Sequence, residues 1–353
     1  MTNLAPLPLA GSLSYGAYGV TFFFVLSGFV LTWSARPNVS SRTFWLRRFA
    51  RIYPSHFVAL ILAIPVFYSF SPAAEDWWIK PFSMPIILLS VVLLQGWSRD
   101  PAILFSGNPA AWTLSCEAFF YTLFPWLNPL LVKLRQRGAL LFTLGAFVVA
   151  LILRVVVIIA PGSLVAQLPW PVFRATEFFI GMGLAWAIRC GWRPRIPVVL
   201  TYVLGAVAIA YLTLVPAYIG AGTVLTAAVP FANEIIIALC ALMIVAVALR
   251  DLRGRSSLLR RRPLVMLGEW SYAFYLVHAT VIYGVLYFVP SQPPGWSNLL
   301  WYGGMLVIAL VVAAGLHYLV ERPFERSLRR WWDRRHAAAQ PSPQQAEPVA
   351  ASR

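Results

Sequence analysis

Gly19-Val20-Thr21-Phe22-Phe23-Phe24-Val25-Leu26-Ser27-Gly28-Phe29-Val30-Leu31-Thr32-Trp33 carries no charge, and Arg48-Phe49-Ala50-Arg51-Ile52-Tyr53-Pro54 follows it at short range. Hydrocarbon solvates a stretch of the first kind, whereas guanidinium groups stay with headgroups and water, so the pair marks a membrane boundary. Further apolar runs repeat this pattern down the chain.

Composition sets the same class. The chain has 353 residues, of which 60% are hydrophobic and 11% charged, with a mean hydropathy of +0.73. A water-soluble domain of this length has too little interior to hide that much apolar surface. The formal charge of +16 invites a nucleic-acid reading. The basic residues, however, cluster in short loops between apolar runs, as in polytopic membrane proteins, so no nucleic-acid partner is expected. Cys116, Cys190 and Cys240 are widely separated and form no C-x-x-C pair, which predicts neither a disulfide framework nor a zinc site. Met1–Gly11 shows no basic region ahead of an apolar one and does not read as a signal peptide.

Runs near 14–33, 53–71, 115–132, 139–160, 173–189, 197–215, 231–249, 267–289 and 298–320 are each long enough to cross about 30 Å of hydrocarbon at about 1.5 Å per residue. They predict an all-α, polytopic transmembrane bundle of nine to ten spans. The shorter run Met84–Trp97 reads as a partial insertion. Arginine-rich segments 42–51, 133–137, 189–195, 250–262 and 322–335 are assigned to the cytoplasm. Segments 72–83, 161–172, 216–230 and 290–297 are nearly free of basic residues and are assigned to the outside. Residues 1–325 then form the membrane-embedded domain. Residues 326–353 form a cytoplasmic tail, basic at first and disordered from about Ala337, where Ala, Gln, Pro and Ser dominate.

Arg48 and Arg51 are three apart and share a helix face. Their planar forks suit phosphate, and Tyr53 adds an amphipathic ring beside them. An anchor at the inner leaflet explains the same arginines without a ligand. Arg154 lies inside an apolar run and demands a carboxylate or carbonyl partner. Arg174 and Glu177 have the spacing of an intrahelical ion pair. Glu117 enters its span behind Trp112-Thr113-Leu114-Ser115, and Glu234 sits near the outer end of another. The histidines are His56, His278, His317 and His336. His278 lies within a span, where it is either a satisfied core histidine or a base.

At these residues the chain resembles the acyltransferase 3 family of integral membrane O-acyltransferases. Gly19 to Phe29 looks like that family's second span, and Arg48-Phe49-Ala50-Arg51 like its R-x-x-R signature. Trp112-Thr113-Leu114-Ser115-Cys116-Glu117 is similar to its W-[ST]-L-x-x-E element. Arg174 to Met182, Ser271 to His278 and Glu321-Arg322-Pro323 follow later patterns in the family's order, so the resemblance spans about residues 16–325.

The resemblance implies about ten spans in a bacterial cell membrane. It also implies transfer of an acyl group, typically acetyl from acetyl-CoA, to a hydroxyl of a glycan or glycosylated metabolite. It implies an acyl-CoA site at Arg48, Arg51 and Tyr53, no metal, and contact with membrane lipid. The family's catalytic histidine lies on a span ahead of the second one. Here that span would precede Met1, and restoring it would put both termini inside. Within this chain the resemblance leaves His278 as the base, with Glu117 to orient it. By the loop assignments Glu117 falls toward the outer side, far from the arginines. A transporter or flippase, or a catalytically inactive membrane protein, shares the spans and intramembrane charges and remains the alternative.

Overall fold

The structure, a computed structural model, describes residues 16, 18–37, 39–73, 78–219, 222–255, 257–289 and 292–337. It is all-α apart from a two-residue parallel bridge between β1 (Tyr68–Ser69) and β2 (Lys80–Pro81). Nine helices coincide with the nine expected spans. They are α1 (Tyr18–Ser34), α2 (Ser41–Phe67), α5 (Trp112–Leu131), α6 (Gln136–Ile159), α7 (Trp170–Arg189), α8 (Val198–Tyr218), α9 (Ala232–Leu252), α10 (Arg262–Leu286) and α11 (Asn298–Leu316). Five stretches are long and apolar enough, by length and composition, to cross a membrane: α2, α6, α8, Val229–Leu252 and Asn298–Arg335.

The start of α2 differs from the sequence reading. The basic segment 42–51 was expected as a loop, but the helix begins at Ser41, where Ser40 caps it by accepting from the Thr43 N–H at 3.2 Å. Arg48 and Arg51 therefore sit about two to three turns into a helix of 27 residues. They are not at its mouth.

The stretch 84–97 does not span. α3 (Met84–Val91) has eight residues, about 12 Å at 1.5 Å per residue. The chain then turns at Leu93, whose φ is +59°, and passes through a short 3₁₀ turn at Gln95–Trp97 and α4 (Pro101–Leu104). Non-helical backbone at this depth needs protein partners, and it has them. Gln95 Nε2 donates to Ala111 O at 3.1 Å, Gly96 N to Ser115 Oγ at 3.1 Å, and Asn108 Nδ2 to Leu276 O at 2.7 Å.

α1 packs most extensively on α7, and glycine makes the approach possible. A Cβ on Gly28 would lie 2.0 Å from Phe178 O, and one on Gly181 would lie 1.9 Å from Val25 O. The two backbones touch where these glycines face each other, the close crossing that small residues permit in membranes.

α11 runs into a π-helical turn at His317–Glu321 and then α12 (Arg322–Ala337). Pro323 has no N–H to give Leu319 O, which removes one rung of the α ladder. Beside that gap the Arg322 N–H reaches back five residues to His317 O. The basic part of the expected tail is thus helical to Ala337, and it packs on α2. Trp332 Nε1 donates to Thr43 Oγ1 at 3.1 Å, and Arg47 pairs with Asp333 at 3.6 Å. The disorder expected beyond Ala337 lies outside the described residues.

Candidate active site

α2 and α5 run antiparallel, and aromatic contacts fix their register. Phe44 stacks on Phe124 with ring centres 5.0 Å apart, and Trp45 Nε1 donates to Tyr121 O at 3.0 Å. One turn further along α2, Arg48 and Arg51 come level with Glu117 and Tyr121. The Tyr121 hydroxyl donates to Glu117 Oε1 at 2.9 Å and lies 3.4 Å from Ser27 Oγ of α1. Glu117 is buried, and both Arg48 and Arg51 are within electrostatic reach of it. This corrects the expectation that Glu117 lies far from the arginines. The expectation started α2 at Tyr53 and left the arginines in a loop, whereas the helix begins at Ser41 and carries them alongside α5.

From α10, Tyr272 closes the same centre. Its hydroxyl donates to Ile52 O at 2.8 Å, and Glu117, Glu321 and Arg51 are all within its electrostatic reach. Glu321 accepts from, or shares a proton with, His317 Nδ1 at 3.1 Å across the π turn, and both residues are buried. The sequence singled out Glu321 only as part of Glu321-Arg322-Pro323. Its pairing with His317 has the i,i+4 spacing that puts two side chains on one helix face.

Below this centre opens a cavity of about 850 Å³ between α1, α2, α5, α7 and α12. Arg36, Arg47, Arg48, Arg189 and Arg329 line it together with Asn128, Phe44 and Trp186. Arg48 lies over the Phe44 ring at 5.8 Å and Arg189 over Trp186 at 5.1 Å. Three buried polar atoms on its wall have no protein partner: Arg48 Nε, Asn128 Oδ1 and Arg329 Nε. Buried donors are normally satisfied, so a basic cavity with two idle guanidinium N–H groups fits a polyanionic ligand with phosphate oxygens. Arg51 and Tyr53 are not on this wall. Arg51 points toward the Glu117 centre, and the Tyr53 ring stacks between Phe49 at 4.7 Å and Phe57 at 6.3 Å. Sequence reasoning missed Arg189, Arg329, Asn128 and Trp186. No local motif marks them, since three other helices bring them to α2.

His278 stands apart. Its Nδ1 is 2.7 Å from Tyr275 O, and its ring stacks on Phe274 at 6.0 Å. That bond leaves Nε2 as the nitrogen able to take a proton. His278 lies six residues beyond Tyr272 on α10, about 9 Å along the axis, and is not brought together with Arg48 or Arg51. Tyr275 bridges the interval. Its hydroxyl donates to Ala110 O at 2.9 Å, accepts from Thr113 Oγ1 at 3.0 Å and is within electrostatic reach of Glu117.

A second polar centre occupies the opposite ends of α1, α6, α7 and α9. Arg174 pairs with Glu177, as their spacing suggested, and also donates to Asn233 Oδ1 at 2.8 Å and Thr21 Oγ1 at 3.2 Å. Arg154 finds its carboxylate on another helix, Glu234, at 3.1 Å. Arg154, Glu234 and Arg174 border a cavity of about 350 Å³ that includes Arg99, set over Trp170 at 4.4 Å.

The sequence model of the acyltransferase 3 family, described as "Acyltransferase domain", matches residues 4–318. The chain belongs to that family and is a membrane acyltransferase that transfers groups other than amino-acyl groups. It is 34% identical to "Acyltransferase MdmB" of Streptomyces mycarofaciens, over 93% of this chain and 85% of that protein. It is 24% identical to the "Putative peptidoglycan O-acetyltransferase YrhL" of Bacillus subtilis (strain 168), over 91% of this chain but 52% of that protein. "Nodulation protein 10" of Rhizobium leguminosarum bv. viciae is 28% identical over 39% of this chain and 41% of its own length. No solved structure matches.

Proposed function

We propose that this chain is a multi-pass O-acyltransferase of a bacterial cell membrane, with nine helices of the described chain crossing the bilayer. It takes an acyl group, acetyl in the simplest case, from acyl-CoA and gives it to a hydroxyl of a glycan or glycosylated small molecule. The observation that carries the donor assignment is the arginine-lined cavity of about 850 Å³ with unpartnered Arg48 Nε and Arg329 Nε on its wall. Acyl-CoA brings phosphate groups that such donors pair with. The acetyl and O-linked parts of the reading draw on the name of the YrhL relative.

Arg48 binds donor phosphate in this scheme, and Arg51, one turn deeper, faces the reacting end. The acceptor oxygen attacks the thioester carbonyl as its proton passes to His278 Nε2. The new C–O bond forms, the C–S bond breaks, and the coenzyme leaves as a thiolate that takes up the proton His278 had accepted. Glu117, held by Tyr121 on the donor side, orients the base or stabilises its cationic form. Tyr53 belongs to the aromatic flank of the donor helix.

The test is incorporation of radiolabelled acetyl from acetyl-CoA by membranes containing the full chain. Label recovered as an alkali-labile ester on a glycan or glycosylated product supports the reading. Movement of the acceptor across the membrane with no covalent change supports a flippase instead.

A further inference from the structure

α12 carries two faces with different partners. One meets α2 and the donor cavity through Trp332, Asp333 and Arg329. The other presents Arg322, Arg326, Arg330 and Arg334 at intervals of four residues, all exposed. At 3.6 residues per turn these form one column. They line a groove of about 750 Å³ with Tyr318 and Trp331, and its lining contains no carboxylate. The acidic residues of the same helix are engaged elsewhere, Glu325 with Arg329 at 2.6 Å and Asp333 with Arg47.

The column is continuous with a lipid-facing surface. Arg322 lies over the Tyr318 ring at 5.9 Å, and Arg335 lies over Trp331 at 4.4 Å. Leu319, next to Tyr318, is 77% exposed, and Val311, two turns earlier on α11, is 67% exposed. Aromatic rings at this boundary sit at headgroup depth, with apolar side chains above and cations below.

We propose that the α12 groove is a binding site for the phosphate headgroup of an anionic membrane phospholipid, whose acyl chains lie along the Val311–Leu319 surface. Four guanidinium groups in register offer bidentate contacts to phosphate oxygens, which a diffuse inner-leaflet charge does not. A soluble phosphate compound has nothing to place on the adjoining apolar stripe, and this favours a lipid. Because Arg329 and Asp333 of the same helix wall the donor cavity, the bound lipid also braces that wall.

The experiment is native mass spectrometry of the full chain in detergent, titrated with phosphatidylglycerol or phosphatidylcholine. Arg326→Gln/Arg330→Gln is compared with a control of equal charge loss, Arg260→Gln/Arg261→Gln, in the loop before α10. The expected result is one or two retained phosphatidylglycerol molecules. Their affinity falls on the order of tenfold or more in the α12 variant, the control variant is unaffected, and phosphatidylcholine is not retained. Equal losses in both variants would reduce the groove to general charge and overturn the proposal. So would displacement of the lipid by millimolar CoA or inorganic phosphate, because the groove would then belong to a soluble anion. Both substitutions are on exposed side chains, and unchanged thermal unfolding confirms that the fold is intact.

Discussion

The Tyr121 hydroxyl donates to Glu117 Oε1 across 2.9 Å, one turn back along α5. The bond holds a buried carboxylate at the depth of Arg48 and Arg51, on the helix that runs against theirs. Removing either end has different consequences. Tyr121→Phe leaves the carboxylate without its donor and costs about 1–3 kcal/mol of stability, visible as a lowered unfolding temperature in detergent. Glu117→Gln keeps an acceptor for Tyr121, so its unfolding temperature stays near that of the parent. Its acyl transfer falls on the order of a hundredfold, as expected for loss of a preorganised charge. Full turnover by Glu117→Gln would falsify the electrostatic role.

Arg48 and Arg51 separate by kinetics. Arg48 is on the wall of the large basic cavity, so Arg48→Ala raises KM for acyl-CoA about ten- to a hundredfold, the worth of one charge-assisted hydrogen bond. Arg51 faces Glu117, Tyr272 and Glu321 instead, so Arg51→Ala lowers kcat more than it raises KM. Steady-state kinetics on membranes with matched protein levels decide this. A pure KM effect at both positions would place both arginines on the donor.

His278 has Nδ1 committed to Tyr275 O, which leaves Nε2 for the acceptor proton. His278→Gln retains the amide geometry without a usable base and lowers turnover by about 10²–10⁴-fold, with CoA affinity unchanged. If turnover survives, the buried His317–Glu321 pair is the next histidine to replace.

Gly28 and Gly181 test the helix crossing. Alanine at either places a methyl group about 2 Å from a backbone oxygen of the other helix. Neither oxygen moves without shifting a whole helix, so each variant loses about 1–3 kcal/mol or more. Alanine at Gly145, which meets nothing within 4 Å, has no such effect. Thermal unfolding of the three variants makes the comparison.

Arg154 and Glu234 form an ion pair between α6 and α9. Arg154→Leu strands a largely buried carboxylate and costs about 1–3 kcal/mol, less than a fully buried pair because the arginine is partly exposed. Replacing Glu234 with Leu as well recovers most of the loss. A double-mutant cycle on thermal unfolding measures the coupling, and strict additivity would mean the pair contributes nothing.

The sequence by itself determined the class of fold. Nine apolar runs reappear as nine helices because hydrocarbon leaves the backbone few ways to satisfy its hydrogen bonds, and the short run at 84–97 failed to span for want of length. Its motifs also named Arg48, Arg51, Glu117 and His278. Tertiary structure decided which of them share a site. The capped start of α2 at Ser41 sets the depth of the arginines, and the Phe44–Phe124 stack sets their register against α5, so Glu117 joins them while His278 stays about 9 Å along α10. Arg189, Asn128 and Arg329 come to one cavity from three helices. Hydropathy reports each segment's preference for lipid, which is a local property. The rotation and depth at which segments pack depend on side chains far apart in the chain, and no local pattern records them.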